Sequence, residues 1–176
     1  MERILVIGAN GQIGSELVEA LTEKHGTNNV IAADIGPRSL YGATCYETVD
    51  VLDSNWVSRL IDSYHVTQVY QLAALLSVTG EQAPLKAWTL NMNGLLNILE
   101  IARERGEAGK PLRVFWPSSI AAFGPHTPAV DTPQLAVMDP TTIYGISKQA
   151  GERRCEYYFS KFGVDVRSIR YPGIIS

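Results

Sequence analysis

Apolar and polar positions along the chain fall into two alternating patterns. Short β-branched or aliphatic runs near 3–7, 29–33, 44–49, 67–72, 112–116 and 165–170 predict strands. Longer stretches near 12–24, 54–64, 84–105 and 143–162 repeat their apolar residues with helical period and predict helices. Strand alternating with helix predicts βαβ units, and so an α/β fold with a doubly wound parallel sheet and helices on both faces. Ile4 to Ile7 and Val30 to Ala33 are continuous apolar runs, as a strand buried on both faces requires. The segment 118–140 carries four of the nine prolines and reads as a long loop, a length more often used by an active site than by a simple connection. There is no internal repeat, low-complexity tract or interdomain linker.

Composition narrows the function classes. The 176 residues are 45% hydrophobic and 19% charged, enough for one full core. Fifteen basic against eighteen acidic residues leave a net charge of −3, which argues against disorder and against a phosphate-binding surface for nucleic acid. Cys45 and Cys155 have no paired spacing, and His25, His65 and His126 are scattered, so neither a disulfide framework nor a metal site is expected. No apolar stretch approaches a membrane span or a signal-peptide core. The expectation is a soluble protein of a reduced compartment: cytoplasmic, or of the mitochondrial matrix in a eukaryote, although no transit peptide is visible.

Two motifs carry chemistry. The first is Gly8-Ala9-Asn10-Gly11-Gln12-Ile13-Gly14, directly after the first strand and opening the first helix. Gly8 permits the tight turn, Gly11 lets backbone approach a pyrophosphate, and Gly14 allows helix to pack on strand. The helix N-terminus then offers free amides and a positive dipole end. Asp34 closes the second strand 20 residues after Gly14, where a carboxylate accepts hydrogen bonds from an adenosine ribose. It would repel a 2′-phosphate, so NAD is expected rather than NADP, a preference that Arg38 nearby tempers. The plainer reading of Asp34 is a turn residue ahead of Gly36-Pro37.

The second motif is Tyr144-Gly145-Ile146-Ser147-Lys148, preceded by Ser118-Ser119. Tyr144 and Lys148 lie four apart and share a helix face. An ammonium beside the phenol would draw its pKa down and make Tyr144 a general base for a substrate hydroxyl. A serine at the end of the fifth strand would hold the same oxygen, and Lys148 would also reach the nicotinamide ribose. By itself the pair also fits a plain solvated helix face.

These residues resemble the extended short-chain dehydrogenase/reductase family, a Rossmann-fold family, over all 176 positions. Besides the two motifs, the resemblance rests on Asp50-Val51, Leu72-Ala73-Ala74, Asn91 and Arg170-Tyr171-Pro172-Gly173. It implies that Asp50 and Val51 contact the adenine and that Leu72, Ala73 and Ala74 run along the cofactor. Asn91 would be structural or near the nicotinamide, and Tyr171 and Pro172 would join the cofactor site. It implies Ser119 as the catalytic serine, with Ser118 as the fallback; Phe123 stands where the family usually has tyrosine. Within the family, the segment Leu75 to Glu81 with Pro84, Ala87 and Trp88, the run Pro140 to Ile143 and the end Tyr171 to Ser176 are similar to short-chain-type L-threonine 3-dehydrogenases. That likeness implies oxidation of the threonine Cβ hydroxyl to 2-amino-3-oxobutyrate, with Ser77, Ser119 and Tyr144 holding the small-molecule substrate.

Extended members continue into a substrate domain, so residues 1–176 are expected to form the NAD-binding domain with the Ser-Tyr-Lys groups and to turn over weakly or not at all alone. The alternatives are a UDP-sugar 4-epimerase or dehydratase of the same family, and a non-catalytic NAD-binding module. The family also implies a homodimer through helices 84–105 and 143–162, whose apolar residues (Leu95, Leu96, Ile98, Leu99, Tyr157, Tyr158, Phe159) exceed one face. Trp56, Trp88 and Trp116 are expected in core or interface, and both cysteines are expected to be inert.

Overall fold

The computed structural model describes residues 2–37 and 45–174. Arg38, Ile175 and Ser176 lie outside them. Strands β1 (Ile4–Ile7), β2 (Val30–Asp34), β3 (Cys45–Thr48), β4 (Gln68–Gln71) and β5 (Arg113–Phe115) fall where the apolar runs predict them. The predicted sixth strand is split into β7 (Val166–Arg167) and β8 (Arg170–Tyr171), and β8 leaves the main sheet to pair with the short β6 (Ser118–Ser119). The main sheet runs β3-β2-β1-β4-β5-β7, with every pairing parallel. This is the Rossmann order, which reverses direction between β1 and β4 and opens a crevice at their carboxyl ends.

Alternation along β1 and β2 builds two cores. Ile4, Val6, Val30 and Ala32 face Val18 and Leu21 of α1 (Gln12–His25). Leu5, Ile7, Ile31 and Ala33 face the larger cluster with α2 (Ser54–Ser63), which is capped by Asp53 accepting from the Trp56 amide. Each fully buried leucine or isoleucine contributes roughly 1.5–3 kcal/mol.

The helix predicted over 84–105 is three pieces. A short α3 (Ser77–Gln82), absent from the expected set, precedes α4 (Pro84–Trp88), a π-helical turn at Thr89–Asn93, and α5 (Gly94–Glu107). Leu95, Ile98, Leu99 and Tyr158, expected in part at a subunit interface, are buried in the larger core, whereas Tyr157 and Phe159 are exposed. The catalytic-motif helix α6 (Ile143–Phe162) matches its predicted bounds and ends at Gly163, whose φ of 69° gives the left-handed cap. Among the described residues no helix is long and apolar enough to cross a membrane.

Candidate functional site

The glycine-loop end of the site is shaped by backbone. Gly8 sits at φ 88°, its amide donates to the Ala33 carbonyl at 2.9 Å, and a Cβ there would lie 2.7 Å from the Ala73 nitrogen. At Gly14 a Cβ would lie 2.1 Å from the Gly8 carbonyl oxygen, so only glycine lets α1 pack onto the loop. Gly11 caps α1 without any side-chain hydrogen bond, leaving the first-turn amides to a ligand.

Asp34 has a double role. Its Oδ2 accepts from the Asn10 amide at 2.9 Å and its Oδ1 from the Gly36 amide at 3.3 Å, so the turn-residue reading is realised in part. The same carboxylate still lines the groove. Asn10, expected to touch cofactor, points elsewhere: its Nδ2 donates to the Pro37 carbonyl and to the Tyr46 hydroxyl, tying the loop to β3.

Two cavities adjoin across the carboxyl ends of β1, β2 and β4. One, of about 460 Å³, lies between the glycine loop and α6 and holds Gln12, Ile13, Ser77, Ser119, Tyr144, Lys148, Tyr171 and Pro172 in its wall. The other, of about 290 Å³, is walled by Asp34, Asp50, Val51 and Ala73. Gly8, Gly11, Leu72 and Ala74 belong to both. The result is one elongated groove with an uncapped helix terminus at its middle and a carboxylate near one end. That shape and donor set fit an extended dinucleotide.

The far end is built from side chains. Thr142 caps α6 by accepting from the Gly145 amide at 3.0 Å, and Glu81 of α3 accepts from the Ile143 amide at 2.7 Å. Tyr144 and Lys148 then share a face. The Lys148 Nζ donates to the Pro117 carbonyl at 2.6 Å and lies 5.4 Å from the Tyr144 ring centre. Burial pushes the lysine down to about 8. Burial also raises the Tyr144 phenol, against the lowering effect of a hydrogen bond from Ser119. This corrects the expected direction: the ammonium is committed to Pro117, and desolvation governs the phenol.

The two serines part company. Ser118 lines the same cavity, but it is buried and its hydroxyl donates to Glu152 Oε1 at 2.5 Å. Glu152 is gripped by both arms of the Arg170 guanidinium at 2.8 Å each. Burial pushes the Glu152 carboxyl up, but Arg170 and Ser118 outweigh it and hold it below the usual range. Arg170 also donates to the Gln134 carbonyl in the long loop and lies 5.0 Å from the Phe123 ring centre. Ser119 Oγ accepts from the Ala121 amide, and Ser119 lines the cavity with Tyr144 and Lys148.

Asn91, expected to be structural or near the nicotinamide, takes the structural role and lines neither cavity. It is buried within the π-helical turn, accepts from the Leu75 amide at 2.8 Å, and donates to the Leu75 carbonyl at 3.0 Å and to Ser147 Oγ at 3.3 Å. It is a clamp on the groove wall. Sequence reasoning missed Glu152, Glu81 and the Pro117 carbonyl. Only Glu152 had a readable signal, one helical turn beyond Lys148 on the same face. Among the described residues no group of three or more metal-ligating side chains comes together.

Comparison with known proteins agrees with this geometry. The family model described as "NAD dependent epimerase/dehydratase family" matches residues 4–176. An uncharacterized epimerase/dehydratase of Staphylococcus saprophyticus is 48% identical over all of this chain and 54% of its own length. Among solved structures, a GalE-like L-threonine dehydrogenase from Cupriavidus necator in its holo form is 56% identical with a TM-score of 0.94, over 99% of this chain and 56% of that one. An L-threonine dehydrogenase from Clostridium difficile is 46% identical, also with a TM-score of 0.94, over 100% and 55%. The chain thus spans about half the length of the relatives it matches.

Proposed function

Because the chain belongs to the NAD-dependent epimerase/dehydratase family, we propose that it carries the cofactor and proton-transfer half of an enzyme that oxidises the Cβ hydroxyl of L-threonine. The observation that carries this reading is the convergence of Ser119, Tyr144 and Lys148 on the cavity that Ser77 also lines. The likeness to the L-threonine dehydrogenases of Cupriavidus necator and Clostridium difficile supports the choice of substrate.

Bound NAD supplies the hydride acceptor. The Gly8–Gly14 loop and the open amides of α1 hold its phosphates, and Asp34 receives the adenosine ribose. Ser77 and Ser119 orient the threonine hydroxyl. The Tyr144 oxygen accepts the proton of that hydroxyl as the Cβ–H bond releases its hydride and the carbon becomes a ketone. Lys148, one turn behind, keeps positive charge beside the phenolate that this step requires. Since burial holds the Tyr144 phenol above its ordinary value, the base form grows with pH, and turnover rises from neutral pH until Lys148 loses its proton at about 8.

The test is NADH absorbance with L-threonine and NAD, run on wild type and Tyr144→Phe. Formation of NADH that requires both threonine and Tyr144 supports the reading. A nucleotide-sugar epimerase shares the whole cofactor groove, so a panel including UDP-glucose belongs in the same assay. Interconversion of that sugar without NADH accumulation replaces the threonine reading. We also propose a homodimer through the exposed Tyr157, Phe159 and Phe162 of α6, which sedimentation of wild type against Phe159→Glu checks.

A further inference from the structure

Lys148 is a charge in an unusual place. Its side chain is enclosed, with 3% of the residue exposed, and its Nζ donates to one acceptor, the Pro117 carbonyl. An ammonium has three donors and repays burial only where something replaces water around it. Glu152, one turn along α6, does not, because its oxygens are committed to Ser118 and Arg170. Cys155 on the same helix stays a neutral thiol, pushed up to about 12 by burial. The Tyr144 phenol is likewise neutral near pH 7, and Glu81 sits at the start of the helix on the Ile143 amide.

The remaining neighbour is aromatic. The Trp116 ring centre lies 4.4 Å from Nζ, within the range where an indole face attracts a cation. The ring is buried against α6. A Cβ at Gly151 would lie 2.3 Å from Cη2 and 2.7 Å from Cζ2 of that ring, so α6 makes room for the indole by having no side chain there. The Trp116 amide is fixed in turn by donation to the Arg167 carbonyl at 3.0 Å.

We propose that Trp116 is a positioning residue for Lys148: its indole face holds the buried ammonium behind Tyr144, and Gly151 is the notch that seats the ring. The inference deepens the proposed function, since it explains how the charge beside the base is kept in a dry site. A bulky residue at 151 or a non-aromatic residue at 116 would leave Lys148 buried with the Pro117 carbonyl and the more distant Tyr144 ring.

The experiment titrates Trp116 and Lys148 directly, without substrate. Trp56→Phe/Trp88→Phe removes the two partly exposed indoles (41% and 38%) and leaves Trp116 as the sole tryptophan. Its emission, followed from about pH 6 to about pH 10 across the lysine's titration, is expected to step with a midpoint at about 8, and the step is expected to vanish in the additional variant Lys148→Met. A flat trace, or a step that survives Lys148→Met, overturns the proposal. In parallel, the ¹³Cε signal of Lys148 is titrated in wild type, Trp116→Phe and Trp116→Leu. The phenyl face is expected to keep the midpoint, and leucine to lower it by roughly 0.4–1.5 pH units, the equivalent of an ordinary cation–π contact. An unchanged midpoint in Trp116→Leu overturns the proposal; should that variant fail to fold, the sole-indole titration decides alone. Neither measurement uses threonine. A Lys148 titration that tracks Trp116 therefore keeps the positioning role whatever substrate the enzyme takes.

Discussion

The two ends of the groove are made by opposite means. At the glycine loop the shape comes from what is missing: no Cβ at Gly8 or Gly14, no side-chain cap on α1. At α6 it comes from what is present: Lys148 on Pro117, Glu152 between Ser118 and Arg170, Asn91 on Leu75. The difference teaches where each end is vulnerable. Backbone contacts offer no slack, so a change in the loop distorts the fold itself. Side-chain contacts are replaceable in shape, so a change at Tyr144 or Lys148 leaves the fold and alters the chemistry.

The comparison is sharpened most by Tyr144→Phe. NADH formation from threonine is expected to fall about 10²–10⁴-fold, the ordinary worth of a general base, with an unchanged melting curve. At the other end Gly14→Ala should lose about 3 kcal/mol or more of stability by overpacking against the Gly8 carbonyl. Thermal denaturation reads this, and a variant as stable as wild type would break the contrast.

Lys148→Met comes next and has the opposite sign. A lysine whose folded pKa is depressed to about 8 holds its proton less firmly folded than unfolded. The unfolded chain therefore binds more protons between about pH 8 and the free-lysine value of about 10.4, and stability rises with pH across that window. Removing the amine should stabilise the fold at pH 7 by on the order of 1–3 kcal/mol, abolish that rise, and remove turnover. Chemical denaturation at several pH values checks all but the last.

Glu152→Gln is smaller. The net-lowered Glu152 carboxyl contributes stability above its unfolded pKa and loses it as pH falls through the folded value. The variant should be about 1–2 kcal/mol less stable at neutral pH, below the fully buried range because solvent still reaches the pair, and should lose the corresponding part of the acid limb. Smallest is Ser118→Ala, expected to cost about 1 kcal/mol, one hydrogen bond, with turnover kept. A collapse of turnover there would move the catalytic serine from 119 to 118.

Legibility in the sequence divides along the same line. Gly8, Gly11 and Gly14 announce their roles because glycine spacing is itself the geometry, and β1 to β5 announce theirs through continuous apolar runs. The α6 end was legible only as far as Tyr144 and Lys148. The Lys148 contact is to a main-chain carbonyl, which no residue type reports, and burial of the phenol reversed the direction expected at Tyr144. Asn10 reads as a cofactor contact because of its place in the pattern, yet its side-chain amide serves Pro37 and Tyr46, and of the two roles open to Asn91 the structural one, on Leu75, is realised. The six-residue α3 was hidden because it is too short to show a period, and the π-helical turn because helical apolar spacing continues through it.

That turn has a consequence for how the chain tolerates change in length. A π-helical turn holds one residue more than an α-helical one, so it acts as a phase shifter, and α5 beyond it is advanced by about 100°. Deleting one residue between Trp88 and Gly94 would yield a more regular helix. It would also rotate Leu95, Ile98 and Leu99 away from the sheet they now pack against and carry Asn91 off Leu75. The stretch 89–93 tolerates no such change, because its irregularity keeps the core and the groove wall in register with each other.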